Sequence, residues 1–235
     1  MKQIIAIGGG GFGSHPSNLL IHQYILNQAQ KESPKICFLP QASSEARDYI
    51  VNFYQTFCNL GAQPSWVSLF GRVSPAWRNH ILSQDIIFVG GGNTRSMLAL
   101  WREWGMDEVL REAYDRGIIL SGTSAGAICW FEQGITDSGP VRRSPGEDGP
   151  LGVLDGLGIL KGSCCPHYDD EAERRPSYIK FTKSGEAVAG IALAEEAAAH
   201  FVDGTLHKIV AAKKGKQCYQ VSAHGEQELE VHYLG

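Results

Sequence analysis

Residues 3–7 form an apolar-rich run that ends at Gly8-Gly9-Gly10-Gly11, and similar runs recur at 35–39, 66–69, 85–89 and 118–120. Runs this short and this continuous predict strands buried on both faces. Between them the spacing becomes helical. Leu19, Leu20, Gln23, Tyr24 and Asn27 mark one face of a helix over 16–30, residues 45–60 read as a second helix, and a helical pair follows Thr94 to about 114. Strand alternating with helix predicts a parallel sheet covered by helices on both faces, an α/β architecture. The second half reads differently. Residues 137–150 are rich in Gly, Pro, Ser and charge and read as a surface loop, 159–165 as a strand stopped by Pro166, and 171–183 as helix-compatible. Apolar runs at 198–202, 206–211, 219–221 and 228–232 predict late strands, with Asp203-Gly204 turning a β-hairpin. No repeat and no Pro-rich linker divides the chain, so one α/β domain over 1–235 with a C-terminal β-hairpin is expected.

Composition narrows the chemistry. A chain of 235 residues with 43% hydrophobic content can bury a large core. Its net charge of −4 gives no electrostatic reason to expect nucleic acid. No stretch reaches the length of a membrane span, and the apolar run at 4–7 is too short for a signal peptide. The six cysteines lack C-x-x-C spacing and stand in mostly apolar settings, which predicts reduced thiols and a cytoplasmic protein.

The most informative stretch is Ile118-Ile119-Leu120-Ser121-Gly122-Thr123-Ser124-Ala125-Gly126. It reads as strand, sharp turn and helix, with G-x-S-x-G centred on Ser124. Glycine is needed at 122 and 126 because a side chain there would collide with a neighbouring strand or helix. The turn pushes Ser124 out of the sheet as a nucleophile, whereas a bare helix cap would be the bland reading of the same serine. A second cluster, Gly90-Gly91-Gly92-Asn93-Thr94, ends the strand one unit earlier, and the ends of parallel strands share one rim. Gly92 N–H and Ala125 N–H are therefore the expected oxyanion donors. The first cluster fits G-x-G-x-x-G through Gly8, Gly10 and Gly13, but Phe38-Leu39-Pro40-Gln41 offers no ribose-binding carboxylate. It reads more simply as a tight turn near the site.

Of eight histidines, His167 alone follows a buried strand, in Cys164-Cys165-Pro166-His167-Tyr168-Asp169. If that strand joins the parallel sheet, it delivers His167 to the rim as the general base. A metal centre from Cys164, Cys165, His167, Asp169 and Asp170 is disfavoured, because adjacent cysteines point to opposite faces of a strand. The acid that orients the imidazole is sought among Glu132, Asp137, Glu147, Asp148 and Asp155; Asp137, after the break at Gly134, is the first choice, and Glu132, expected near the end of the elbow helix, the second. An α/β-hydrolase would need another strand–helix unit between nucleophile and acid, and the interval from Ser124 to Asp137 leaves no room for one.

Gly90-Gly91-Gly92-Asn93-Thr94, Gly122-Thr123-Ser124-Ala125-Gly126-Ala127 and Pro166-His167-Tyr168, in this order, resemble the peptidase E and cyanophycinase family of serine peptidases. The resemblance covers nearly the whole chain. It implies a three-layer, flavodoxin-like fold similar to the class I glutamine amidotransferases, with a serine nucleophile, a histidine base and an acidic third member. It also implies exopeptidase action on short peptides, in peptidase E on those with an N-terminal aspartate, and no metal or cofactor. Small peptides are the expected partners, and the chain is expected to be a monomer or homodimer. Asn93 and Thr94 fit a pocket for a substrate carboxylate. Arg174 is the arginine expected to complete it, since Arg175 is followed by Pro176, although both come earlier after His167 than the family pattern has it. The rival class is a binding or regulatory protein on the same fold with an inert elbow.

Overall fold

The computed structural model describes residues 1–12, 18–139 and 151–235; Gly13, Glu147 and Asp148, named above, lie outside them. In chain order the strands are β1 (Gln3–Ile7), β2 (Lys35–Leu39), β3 (Gln63–Trp66), β4 (Ile86–Val89), β5 (Ile119–Thr123), β6 (Phe131–Thr136) and β7 (Gly152–Asp155). They continue with β8 (Leu160–Cys165), β9 (Gly190–Ala192), β10 (Ala197–Val202), β11 (Thr205–Ala211), β12 (Cys218–Ser222), β13 (Gly225–Leu229) and β14 (Val231–Tyr233). The helices are α1 (Leu20–Gln28), α2 (Arg47–Asn59), α3 (Trp77–Leu82), α4 (Thr94–Trp104), α5 (Met106–Asp115), α6 (Ala125–Ile128) and α7 (Arg174–Ser184).

The strands form two sheets. The first has the order β14-β11-β10-β1-β5-β4-β2-β3, and its β1, β5, β4, β2 and β3 are parallel. The predicted hairpin at Asp203-Gly204 joins β10 to β11 and adds both to this sheet, β10 antiparallel to β1. Alternation along β1 sorts the core: Ile5 and Ile7 join the layer of Ile25, Phe53 and Phe57 from α1 and α2, while Ile4 and Ala6 join that of Met97, Trp101 and Leu110 from α4 and α5. Both faces are thus covered, as the continuous apolar runs require.

The second sheet, β13-β12-β9-β8-β6-β7, departs from the sequence reading. β8 does not join β5; it pairs in parallel with β6 and β9. Its Cys164 packs into the large core shared with the first sheet, and Cys165 faces Tyr178 of α7. The elbow helix is also shorter than expected. It is one turn, and past Cys129 the chain enters β6, so Glu132 lies on a strand rather than near a helix end. The third strand is displaced as well, because 63–66 pairs with β2 while Val67–Leu69 turns away, held by Gln41 Nε2 on the Val67 carbonyl and Glu45 on the Leu69 N–H.

Candidate active site

Ser124 stands where β5 ends. Its φ of 56° and ψ of −111° are strained for a residue with a side chain, a conformation that costs roughly 1–3 kcal/mol. The glycines around it make the turn possible. A Cβ on Gly122 would come within 2.5 Å of the Gly126 carbonyl oxygen, and one on Gly126 would overlap the Val89 carbonyl. A Cβ on Gly91 would stand 3.4 Å from Ser124 Cβ, so the second glycine cluster borders the serine directly. Tyr49 Oη accepts the Gly91 N–H at 3.3 Å. Among the described residues neither Gly92 N–H nor Ala125 N–H has a partner, which leaves both able to donate to an oxyanion.

His167, one residue beyond Pro166 at the end of β8, meets Ser124 across the join between the sheets. Its Nε2 lies 2.9 Å from Ser124 Oγ, and its Nδ1 lies 2.6 Å from Glu195 Oε2. In the tautomer whose Nδ1–H donates a hydrogen bond to Glu195 Oε2, Nε2 is left to accept one from the serine hydroxyl. Glu195 sits in the short connection from β9 to β10, where the chain passes from the second sheet back to the first. Both side chains are largely covered, 18% and 10% exposed.

The carboxylate in contact with His167 is Glu195, which is not among those named from the sequence. Asp137 follows β6, and its charge acts on Arg174; no contact links it to His167. Glu132 is further away in role: it binds Lys161 Nζ and the Gly162 N–H. Asp155 ends β7 at an exposed position. The candidate acids named from the sequence all precede His167, whereas the carboxylate that touches it lies downstream. A signal was present. Glu195 and Glu196 interrupt the apolar run 191–202, and a carboxylate buried in such a run needs a partner.

The first glycine cluster is part of the same site. Ser124 N–H donates to the Ile7 carbonyl (3.1 Å), His167 N–H to Gly8 (2.9 Å) and Glu196 N–H to Gly9 (3.1 Å). Three consecutive carbonyls thus fix three converging loops. A Cβ at Gly9 would overlap Glu195 Oε2 and lie 2.5 Å from His167 Cε1, so only glycine lets the acid and the base meet there.

The expected carboxylate pocket is differently employed. Asn93 caps α4, its Oδ1 accepting the Ser96 N–H at 2.8 Å, which leaves its Nδ2 without a partner among the described residues. Thr94 is buried; its N–H donates to Ser138 Oγ and its hydroxyl meets that of Thr136. Arg174 is 3% exposed, with Nε on Glu171 Oε2 at 2.5 Å and Nη1 on the Ile135 carbonyl at 2.8 Å. Its charge has a partner in Glu171, and its Nε and Nη1 are engaged inside the fold. Among the described residues no cluster of His, Cys, Asp and Glu has the arrangement of a metal site, and no helix is long and apolar enough to cross a membrane.

An α/β fold that presents a serine on a strained elbow, backed by a histidine and a buried carboxylate, has the architecture of a serine hydrolase. The chain belongs to peptidase family S51, whose model matches residues 4–209. It is 47% identical over 239 residues to the uncharacterized peptidase YgaJ of Bacillus subtilis, an alignment that covers all of both chains. Among solved structures it resembles a peptidase from an acI-B1 actinobacterium, with TM-score 0.72 and 17% identity over 98% of this chain and 95% of the other. It also resembles a Listeria monocytogenes EGD-e protein provisionally named peptidase E, with TM-score 0.62 and 17% identity over 89% and 96%. The family resemblance drawn from the three motifs is thereby borne out.

Proposed function

We propose that this serine peptidase is an exopeptidase of short peptides that works through an acyl-enzyme, with Ser124, His167 and Glu195 as its catalytic chain. The hydrogen-bonded line from Glu195 through His167 to Ser124 carries the reading. His167 Nε2 takes the hydroxyl proton as Ser124 Oγ attacks the scissile carbonyl carbon. The oxygen becomes negative against Gly92 N–H and Ala125 N–H. On collapse the Nε2 proton passes to the leaving amine, and a water activated by the same nitrogen then frees the acyl group. Glu195 holds the ring in the required tautomer and steadies the imidazolium. The preference for short peptides follows the likeness to peptidase E.

Selection for an acidic first residue is not part of this proposal, because Arg174 already has a carboxylate partner in Glu171. Asn93, through its free Nδ2, is the polar side chain assigned to the substrate. A fluorophosphonate probe should label Ser124, with mass spectrometry locating the adduct, and dipeptides varied at the first residue should then be hydrolysed without an acidic bias. A folded protein that neither labels nor turns over any short peptide would overturn the assignment in favour of an inert elbow.

A further inference from the structure

Glu195 is held in place by more than its contact with His167. Its backbone N–H donates to Asp169 Oδ1 at 2.8 Å, and Asp169 Oδ2 receives Lys216 Nζ at 2.7 Å. Asp169 lies two residues past His167, so one side chain reaches from the base's loop to the acid's loop. Lys216 comes from the turn between β11 and β12, which itself crosses from the first sheet to the second. Its side chain is only 15% exposed, against 37% for Asp169. The same turn supports the neighbouring residue: Ala212 N–H donates to the Glu196 carbonyl at 2.9 Å, and Asn18 Nδ2 bridges Glu196 Oε1 and the Ala212 carbonyl. The two loops are also stitched together by Tyr168 N–H on the Leu193 carbonyl and Leu193 N–H on the Cys165 carbonyl.

We infer that Asp169 and Lys216 form a positioning pair for the catalytic chain, fixing the main chain of Glu195 so that its carboxylate keeps the His167 ring in line with Ser124. The inference rests on the proposed role of Glu195. The Lys216 ammonium offsets the Asp169 charge locally and anchors its far oxygen while the near one holds the Glu195 N–H. Asp169 meets no reacting atom. It acts through backbone geometry, where a displacement of about 1 Å costs on the order of a hundredfold in rate.

The test compares Asp169→Ala, Asp169→Asn and Lys216→Met, with kcat expressed per fluorophosphonate-titrated site so that misfolded protein does not count. Asp169→Ala should lower kcat roughly tenfold to a hundredfold with KM unchanged. Asp169→Asn keeps an oxygen for the Glu195 N–H and should recover most of the loss. The far-downfield proton resonance of the His167 Nδ1–H should persist in Asp169→Asn and broaden or disappear in Asp169→Ala. If Asp169→Ala does not fold, Lys216→Met reads the same contact and should lower kcat several-fold without raising KM. Unaltered kcat in both would overturn the positioning role, as would equal damage by alanine and asparagine. Glu195→Gln separates the two levels: if it too retains full activity, the catalytic reading has failed, and if it is crippled while the others are intact, only the clamp has.

Discussion

The first sheet carries Ser124, the second carries His167, and the connection between the sheets carries Glu195, the three members of the proposed catalytic chain. The two regions position their residues by different means. At Ser124 the decisive signal is local: Gly122 and Gly126, two residues either side, leave the room the elbow needs, and the contacts with Val89 and the Ile7 carbonyl then follow from the parallel sheet. At His167 and Glu195 the constraint is long-range. Their loops are stitched to each other, to the Gly8-Gly9 turn and to Lys216, and none of these contacts is close in sequence. A nucleophile can therefore be written into a few consecutive residues, whereas its base and acid are written into the packing of one sheet against another.

The strongest test of that contrast removes the local element. Ser124→Ala should fold as the parent does and lose roughly 10⁴–10⁶-fold in kcat, measured on any dipeptide the parent cleaves. Removing the long-range element comes next. Glu195→Gln keeps size and shape but cannot hold an imidazolium, and should cost about 10³–10⁴-fold. Asp137→Asn should leave kcat near the parental value. The reverse ranking would put the acid back on the loop after β6.

What could be read from the sequence follows the same division. Ser124, its flanking glycines and four of the five parallel strands were legible because each depends on neighbours in the chain; the third was displaced by three residues. His167 was legible by its place after an apolar strand, although that strand belongs to the second sheet. Glu195 was not, because Leu193-Ala194-Glu195-Glu196-Ala197 has no local feature that says which group it will meet. β6 was missed for a related reason. Phe131-Glu132-Gln133-Gly134 continues a helix-compatible stretch, and only pairing with β7 and β8 makes it a strand. Arg174 was legible as a cation close after the histidine in sequence, but not as one buried against the Ile135 carbonyl and paired with Glu171.

Two further substitutions probe the second sheet and its seam with the first. Arg174→Ala strands Glu171 and frees the Ile135 carbonyl. Because Glu171 stays partly in water, the loss is that of the buried guanidinium's contacts and should be about 1–3 kcal/mol of stability, read by urea unfolding. The ratio of acidic to neutral dipeptide hydrolysis should not change; a selective loss on acidic substrates would restore the carboxylate-binding role. Gly9→Ala acts at the seam. Its methyl group would push Glu195 and the His167 ring apart, so kcat should fall by about a hundredfold while Ser124 remains in place. Unchanged turnover would mean that the first glycine cluster serves the turn alone.

The smallest expected effect concerns stability on the first-sheet side. His22 of α1 is 2% exposed, sits among Phe12, Phe57 and Phe88, and has no partner for Nδ1. Burial holds its imidazole down to about 4, from an ordinary value of 6.5. In the folded protein the ring therefore stays neutral below pH 6.5, while in the unfolded chain it takes up a proton. The unfolded state binds more protons over that window, so stability present above pH 6.5 declines as pH falls toward about 4 and then levels off. At pH 5 the loss from this one group is on the order of 2 kcal/mol. His22→Leu keeps the apolar packing and removes the titration. Urea unfolding at pH 7 and pH 5 should then show a smaller acid-side loss in the variant than in the parent. An equal loss in both would place the acid sensitivity elsewhere, with buried His200 of β10 the next group to replace.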